Sequence, residues 1–160
     1  MQDTISRPTP RRAESRWLRP LALLILILLA TQFLVGMLVN FFVQIPDAHP
    51  GANAPEYFSG VAQGVAWALA NGAAALKFHA IIGLLLFLDA LVILGLAIAA
   101  RRRAWIIAGA FGLFGIMAAG FNGASFMNYG HDFSSLLMAI GFLWAVIAYA
   151  IGYYVTGVNK

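Results

Sequence analysis

Four runs of about twenty apolar residues, separated by short polar breaks, constrain this chain more than any other feature. A helix of that length, rising about 1.5 Å per residue, matches the hydrocarbon thickness of a bilayer. A helix also satisfies its main-chain polar groups internally, as a segment in lipid must. The runs fall at residues 21–43, 75–100, 104–122 and 133–154. They predict an all-α polytopic membrane protein, a four-transmembrane-helix up-down bundle. Of the 160 residues, 62% are hydrophobic and 10% charged, which is not the usage of a soluble globular domain.

Charge placement sets the expected orientation. If the helices alternate, Arg7, Arg11, Arg12, Arg16, Arg19, the Arg101–Arg103 triplet and Lys160 share one side. Lys77 alone falls on the other. Nine of ten basic residues on one face predict both termini inside (N-in/C-in), in a bacterial cytoplasmic (inner) membrane. The same placement argues against a nucleic-acid partner despite the net charge of +4, because the cations sit at the ends of apolar runs.

Residues 1–16 are polar and carry Pro8 and Pro10. They read as a disordered basic cytoplasmic tail whose arginines can touch anionic headgroups, ahead of a transmembrane domain at 17–160. A signal peptide is the competing reading of the first run. Its apolar core would span only about 7–15 residues, and Ala52-x-Ala54 lies well past the run. In the outer loop, 44–74, Pro46, Pro50 and Pro55 keep the first half out of helix. Residues 57–70 suit a short interfacial helix broken by Asn71-Gly72. The segment GASFMNYGHD is expected to turn, and Tyr149, Tyr153 and Tyr154 to form an aromatic belt. No internal repeat supports an inverted-repeat transporter.

The chain has no cysteine, which removes disulfides, iron–sulfur ligation, thiolate zinc sites and covalent haem attachment. It has no nucleophile–base constellation either, so an enzyme is not expected.

Three sets of residues could carry chemistry. His79 lies near the outer end of the second run and His131 just before the fourth. In an up-down bundle these helices are diagonal neighbours, so the pair are candidate axial ligands for haem b. With His49 they are also candidate metal ligands. The structural alternative is interfacial histidines, with Asp132 or Ser134 capping a helix. Asp89, in LLLFLDALVIL, sits at the centre of the second run, where a carboxylate costs about 2.5–3.5 kcal/mol. No Lys or Arg shares its depth. A neutral Asp89 donating to Gln32 would glue two helices, contributing about 0.6–2 kcal/mol. The functional alternative is a proton- or ion-coupled carrier. Third, Asn40, Asn122, Ser125, Asn128, Tyr129, His131 and Asp132 gather hydrogen-bonding groups in the outer layer. With His79 they are the expected place for a ligand, unless they only satisfy helix ends. Small residues along the third run, Gly109, Gly112, Gly115, Ala119 and Gly123, predict close helix packing.

The stretches FLVGMLVNFFVQIPDAHPG, FHAIIGLLL and GFNGASFMNYG resemble small four-helix membrane proteins of bacteria. The resemblance covers most of the chain after residue 20 and implies a fold but no activity. The bundle is also superficially similar to cytochrome b561-type and haem A synthase-type helices, which would imply b-type haem. The function expected is that of an accessory or small-ligand-binding membrane protein. Its partners would be the lipid bilayer and another membrane protein or a second copy of the chain.

Overall fold

The structure is a computed structural model that describes the backbone of residues 10–158 and the side chains of 16–155. The described residues form five helices: α1 (Pro10–Phe42), α2 (Tyr57–Asn71), α3 (Ala74–Ala99), α4 (Arg103–Tyr129) and α5 (Asp132–Val158). Four segments are long and apolar enough to cross a membrane: Arg16–Phe42, Ala74–Ala99, Arg103–Tyr129 and Asp132–Val155. Helix α1 begins at Pro10, so residues 10–16 are helical and not tail. Proline is well placed there, because the first N–H of a helix has no intrahelical acceptor. The tail expected at residues 1–9, with Arg7, and the terminal Lys160 lie outside the described residues.

The breaks have local causes. Glu56 caps α2, its carboxylate accepting from the N–H groups of Phe58 and Ser59. Between α3 and α4 the chain turns within Ala100–Arg102, with Arg101 at φ 53°. Helix α4 runs seven residues past Asn122, through much of the segment expected to turn. Asn122 donates back to the carbonyl of Ala118 in its own helix at 2.8 Å, and Gly123 makes room for Met138. The stop is Gly130, whose φ of 66° is open to glycine and whose N–H closes on Phe126.

Helix α1 packs on α3 and α5, α3 on α4, and α4 on α5, while α2 rests against α3 and α4. The α4–α5 seam is the tightest. The pairs Ala108–Gly152, Gly112–Tyr149, Gly115–Ala145, Ala119–Gly141 and Gly123–Met138 succeed one another in antiparallel register. A Cβ on Gly115 or Gly141 would lie 2.7 Å from a main-chain nitrogen of the facing helix. Small residues thus let two backbones touch.

The core runs along these helices from Leu18, Ala22, Ile25 and Leu29 of α1 to Leu86, Ala90, Ile93 and Ala97 of α3. Trp105 and Ile116 of α4 and Ala145 and Tyr149 of α5 complete it. Large apolar side chains such as Ile27, Leu34, Phe114 and Leu143 face outward and are exposed, as a lipid-facing surface requires. Arg16, Arg19 and Arg101–Arg103 mark one end of the bundle, hereafter the arginine end. There Arg19 lies over the Tyr153 ring at 4.8 Å and Arg16 over Trp17 at 5.3 Å. The other end is capped by the loop 43–56 and α2.

Candidate functional site

Toward the capped end the four long helices part around a cavity of about 1100 Å³. Its walls are mostly apolar: Leu29 and Phe33 of α1, Phe87 of α3, Ile116 and Ala124 of α4, Phe142 of α5. Val61, Val65 and Ala68 of α2 contribute to the cap side.

The cap is fastened chiefly to the last two turns of α4. Tyr129 donates to the carbonyl of Ala54 at 3.0 Å, and the N–H of Asn53 donates to the carbonyl of Asn128 at 3.0 Å. Tyr57 donates to the carbonyl of Phe121 at 3.2 Å and accepts from Ser125 at 3.1 Å. The His49 ring stacks on Trp67 with centroids 4.6 Å apart. Its two nitrogens face the carbonyls of Pro50 (3.0 Å) and Met127 (3.3 Å). Gly51, at φ 95°, passes so close to α2 that a Cβ would fall 2.6 Å from the nitrogen of Gly64. Only glycine allows both that dihedral and that approach.

Two walls of the cavity carry polar residues. On one, Gln32 of α1 and His79 of α3 pair through Nε2 and Nε2 at 3.2 Å. The Gln32 amide donates, so His79 accepts at Nε2 and, as a neutral ring, carries its proton on Nδ1. Nδ1 makes no hydrogen bond of good geometry, and Gln32 Oε1 is buried with no protein partner. Gly36 makes the space for this ring, since a Cβ there would stand 2.9 Å from His79 Cε1. Gly83 lies beneath the Gln32 amide. On the other wall Asn128 is 3% exposed, with both amide atoms buried and unpartnered within the protein. Its amide sits in a hollow left by Gly64 of α2.

Of the residues expected to form a polar site, the cavity lining gathers Gln32, Asn40, His79, Asn128 and Tyr129, with His49 in the cap. It leaves out Asn122, bonded within its own helix, and Asp132, exposed at the first turn of α5. A carboxylate there complements the helix dipole. His131 is exposed beside Tyr129 and does not line the cavity. The extra length of α4 carries the turn, and His131 with it, to the rim. His131 thus does not share the cavity lining with His79. Among the described residues, no three of His, Asp or Glu converge as a metal site, so His49, His79 and His131 stand apart.

Asp89 is buried but does not bond to Gln32, which is engaged with His79. His79 precedes Asp89 by ten residues, about 15 Å along α3. Trp144, at a similar depth on α5, points outward against Phe111 and Phe114. Tyr149, read as part of an interfacial belt, is fully buried, its ring seated where a side chain on Gly112 would be. Sequence reasoning also missed Gly36 and Gly64. For Gly36 the signal was a glycine one helical turn from Gln32 and Asn40 in an apolar helix, a pattern that close packing produces as well; Gly64 carried no such signal.

Comparison with protein-family models, curated proteins and solved structures finds no match for the chain. The functional reading therefore rests on the site itself.

Proposed function

We propose that this chain is an integral protein of the bacterial cytoplasmic membrane that binds a small amphipathic molecule in the capped cavity. In this reading the helices form an up-down bundle with both termini cytoplasmic, following the one-sided distribution of Lys and Arg. The arginine end then faces the cytoplasm, and the cavity lies in the outer half of the bilayer beneath the cap.

One observation carries the binding reading. Gln32 Oε1 and both amide atoms of Asn128 are buried without protein partners, and both residues line a mostly apolar cavity. An unmet buried hydrogen-bonding group costs about 1–3 kcal/mol. These atoms are sealed as they stand, so binding would turn the Gln32 and Asn128 side chains toward a ligand head with donor and acceptor groups, recovering that cost while its apolar body packs on Phe33, Phe87 and Phe142. Among the described residues no Lys or Arg lines the cavity, and its one carboxylate, Asp47, is exposed in the cap loop, so an uncharged head suits the buried polar groups. A mostly apolar hollow with a few convergent polar groups is the usual form of a small-molecule site.

The test is mass spectrometry of organic extracts from protein purified in mild detergent. A neutral amphipathic molecule should be retained at near-stoichiometric level and be lost from Asn128→Leu. Extracts holding bulk phospholipid alone, identical in both proteins, would overturn the reading.

A further inference from the structure

One side chain that can change its charge helps to hold the cap over the cavity. His49 is half-buried in the loop 43–56 and lines the cavity together with Met127. Both of its ring nitrogens point at main-chain carbonyls, Nδ1 at Pro50 (3.0 Å) and Nε2 at Met127 (3.3 Å). Its ring lies nearly parallel to that of Trp67, with 23° between the planes and 4.6 Å between the centroids. One imidazole thus joins the loop to α2 and to the last turn of α4 at once.

That setting holds two acceptors and calls for two donors. A carbonyl oxygen can only accept, whereas a neutral imidazole carries a single N–H and presents a lone pair at its other nitrogen. In either tautomer one of the two contacts therefore sets lone pair against lone pair. The imidazolium has an N–H on each nitrogen and meets both carbonyls. Its charge also lies over an indole face, the best aromatic partner for a cation.

The helices packed on the ring bring no nearby charge of their own. Helix α2 has no charged residue, and the only one on α4, Arg103, lies at the opposite end of that helix. In the cap Asp47 is exposed, and Glu56 is engaged with the first N–H groups of α2. Lys77 of α3 donates to the carbonyl of Ala70, and His131 and Asp132, where α5 begins, are exposed. The other bonds that fasten the cap use main-chain amides and the hydroxyls of Tyr57 and Tyr129. Donors of those types ordinarily keep their protons through neutral pH.

We propose that His49 is a proton-operated clasp that fastens the cap over the cavity. A proton taken from hydronium by the free ring nitrogen leaves water, forms a second N–H and completes the second hydrogen bond. Its loss releases one of the two carbonyls. The cap is therefore held tightest in acid and loosens as pH rises through the range where imidazoles titrate. As a control on ligand access the clasp rests on the binding reading above, but the fastening itself requires no ligand.

The experiment is hydrogen exchange of the full chain in mild detergent at about pH 5.5 and about pH 8, with labelling times scaled for the intrinsic pH dependence of exchange. Amides of residues 43–56 should exchange about three- to tenfold more slowly at the lower pH, with the α4–α5 seam unchanged. His49→Gln should remove the difference, and His131→Gln should keep it. Equal protection of the cap at both pH values would overturn the proposal, as would a difference that survives in His49→Gln. If that variant fails to fold, the emission of Trp67, isolated by comparison with Trp67→Phe, decides instead. Quenching that follows cap protection through the titration supports the clasp, and emission that ignores pH removes it. Organic extracts of the same preparations separate the two readings: pH-dependent protection with no retained molecule would leave the clasp standing and overturn the ligand.

Discussion

The two ends of this bundle use the same residue types for opposite purposes. Toward the arginine end, Gly112, Gly115, Gly141 and Gly152 bring α4 and α5 into contact, with Tyr149 and Trp105 filling what remains. Toward the capped end, Gly36 and Gly64 stand beside His79 and Asn128, leaving room for polar side chains. A glycine facing backbone or a ring packed in the core closes a helix pair, whereas one facing an amide or imidazole opens a place for chemistry. In a bilayer this distinction matters because apolar burial does little to hold helices together, so close packing must. The closed half supplies the stability that lets the capped half carry unmet hydrogen-bonding groups.

The contrast breaks most readily at the seam. Gly115→Ile should destabilise the protein by about 3 kcal/mol or more, since the new Cβ meets the backbone of α5 and no rotamer relieves it. Gly120→Ile, whose Cβ meets nothing within 4 Å, should be tolerated. Thermal unfolding in mild detergent compares them, and equal losses would show that the seam is not where packing is decided.

Asn128→Leu should act in the opposite sense. Removing a buried, unpartnered amide should raise stability by about 1 kcal/mol or more, while ligand retention falls. Stability falling together with retention would make Asn128 a structural residue. A smaller effect is expected of Gly36→Ala, whose methyl would press on His79 and break its bond to Gln32, costing about 1 kcal/mol. Nitrogen-15 shifts of the His79 ring should move in that variant. Gly95→Ala, which meets no neighbour, should leave them unchanged and stabilise α3 by up to about 1 kcal/mol.

Much of the fold was legible because a membrane leaves few choices. Runs of spanning length must be helices, and Arg101–Arg103 with Gly130 stood where two of the breaks fall. The site was legible only in part. Asn128 and His79 were singled out as polar groups in apolar surroundings. Their pairings were not: Gln32, expected to bond Asp89, meets His79 instead, and that depends on the relative register of α1 and α3. Periodicity within a helix carries no record of that register. The end of α4 was misplaced for a related reason: Asn122 and Gly123 look like breakers, yet helix and tertiary contacts absorb both. Tyr149 was read with Tyr153 and Tyr154 as an interfacial belt at the end of the fourth run, and only Gly112 on another helix shows why it is buried.

The smallest expected effect bears on whether the capped end opens. Tyr129→Phe removes the hydroxyl that donates to Ala54 and leaves the ring that stacks near His131. A partly buried hydrogen bond of this kind contributes about 0.5–1.5 kcal/mol, so global unfolding should move little. The loss should instead be local. Residues 43–56 hold few main-chain hydrogen bonds of their own and depend on α4 for their fastening, so their amides should exchange several-fold faster. Exchange along the α4–α5 seam should stay as it was, since no seam contact involves Tyr129. Uniform acceleration through both regions would mean that the bundle opens as one unit. Acceleration confined to the cap would mean that a ligand can enter without disturbing the packed half.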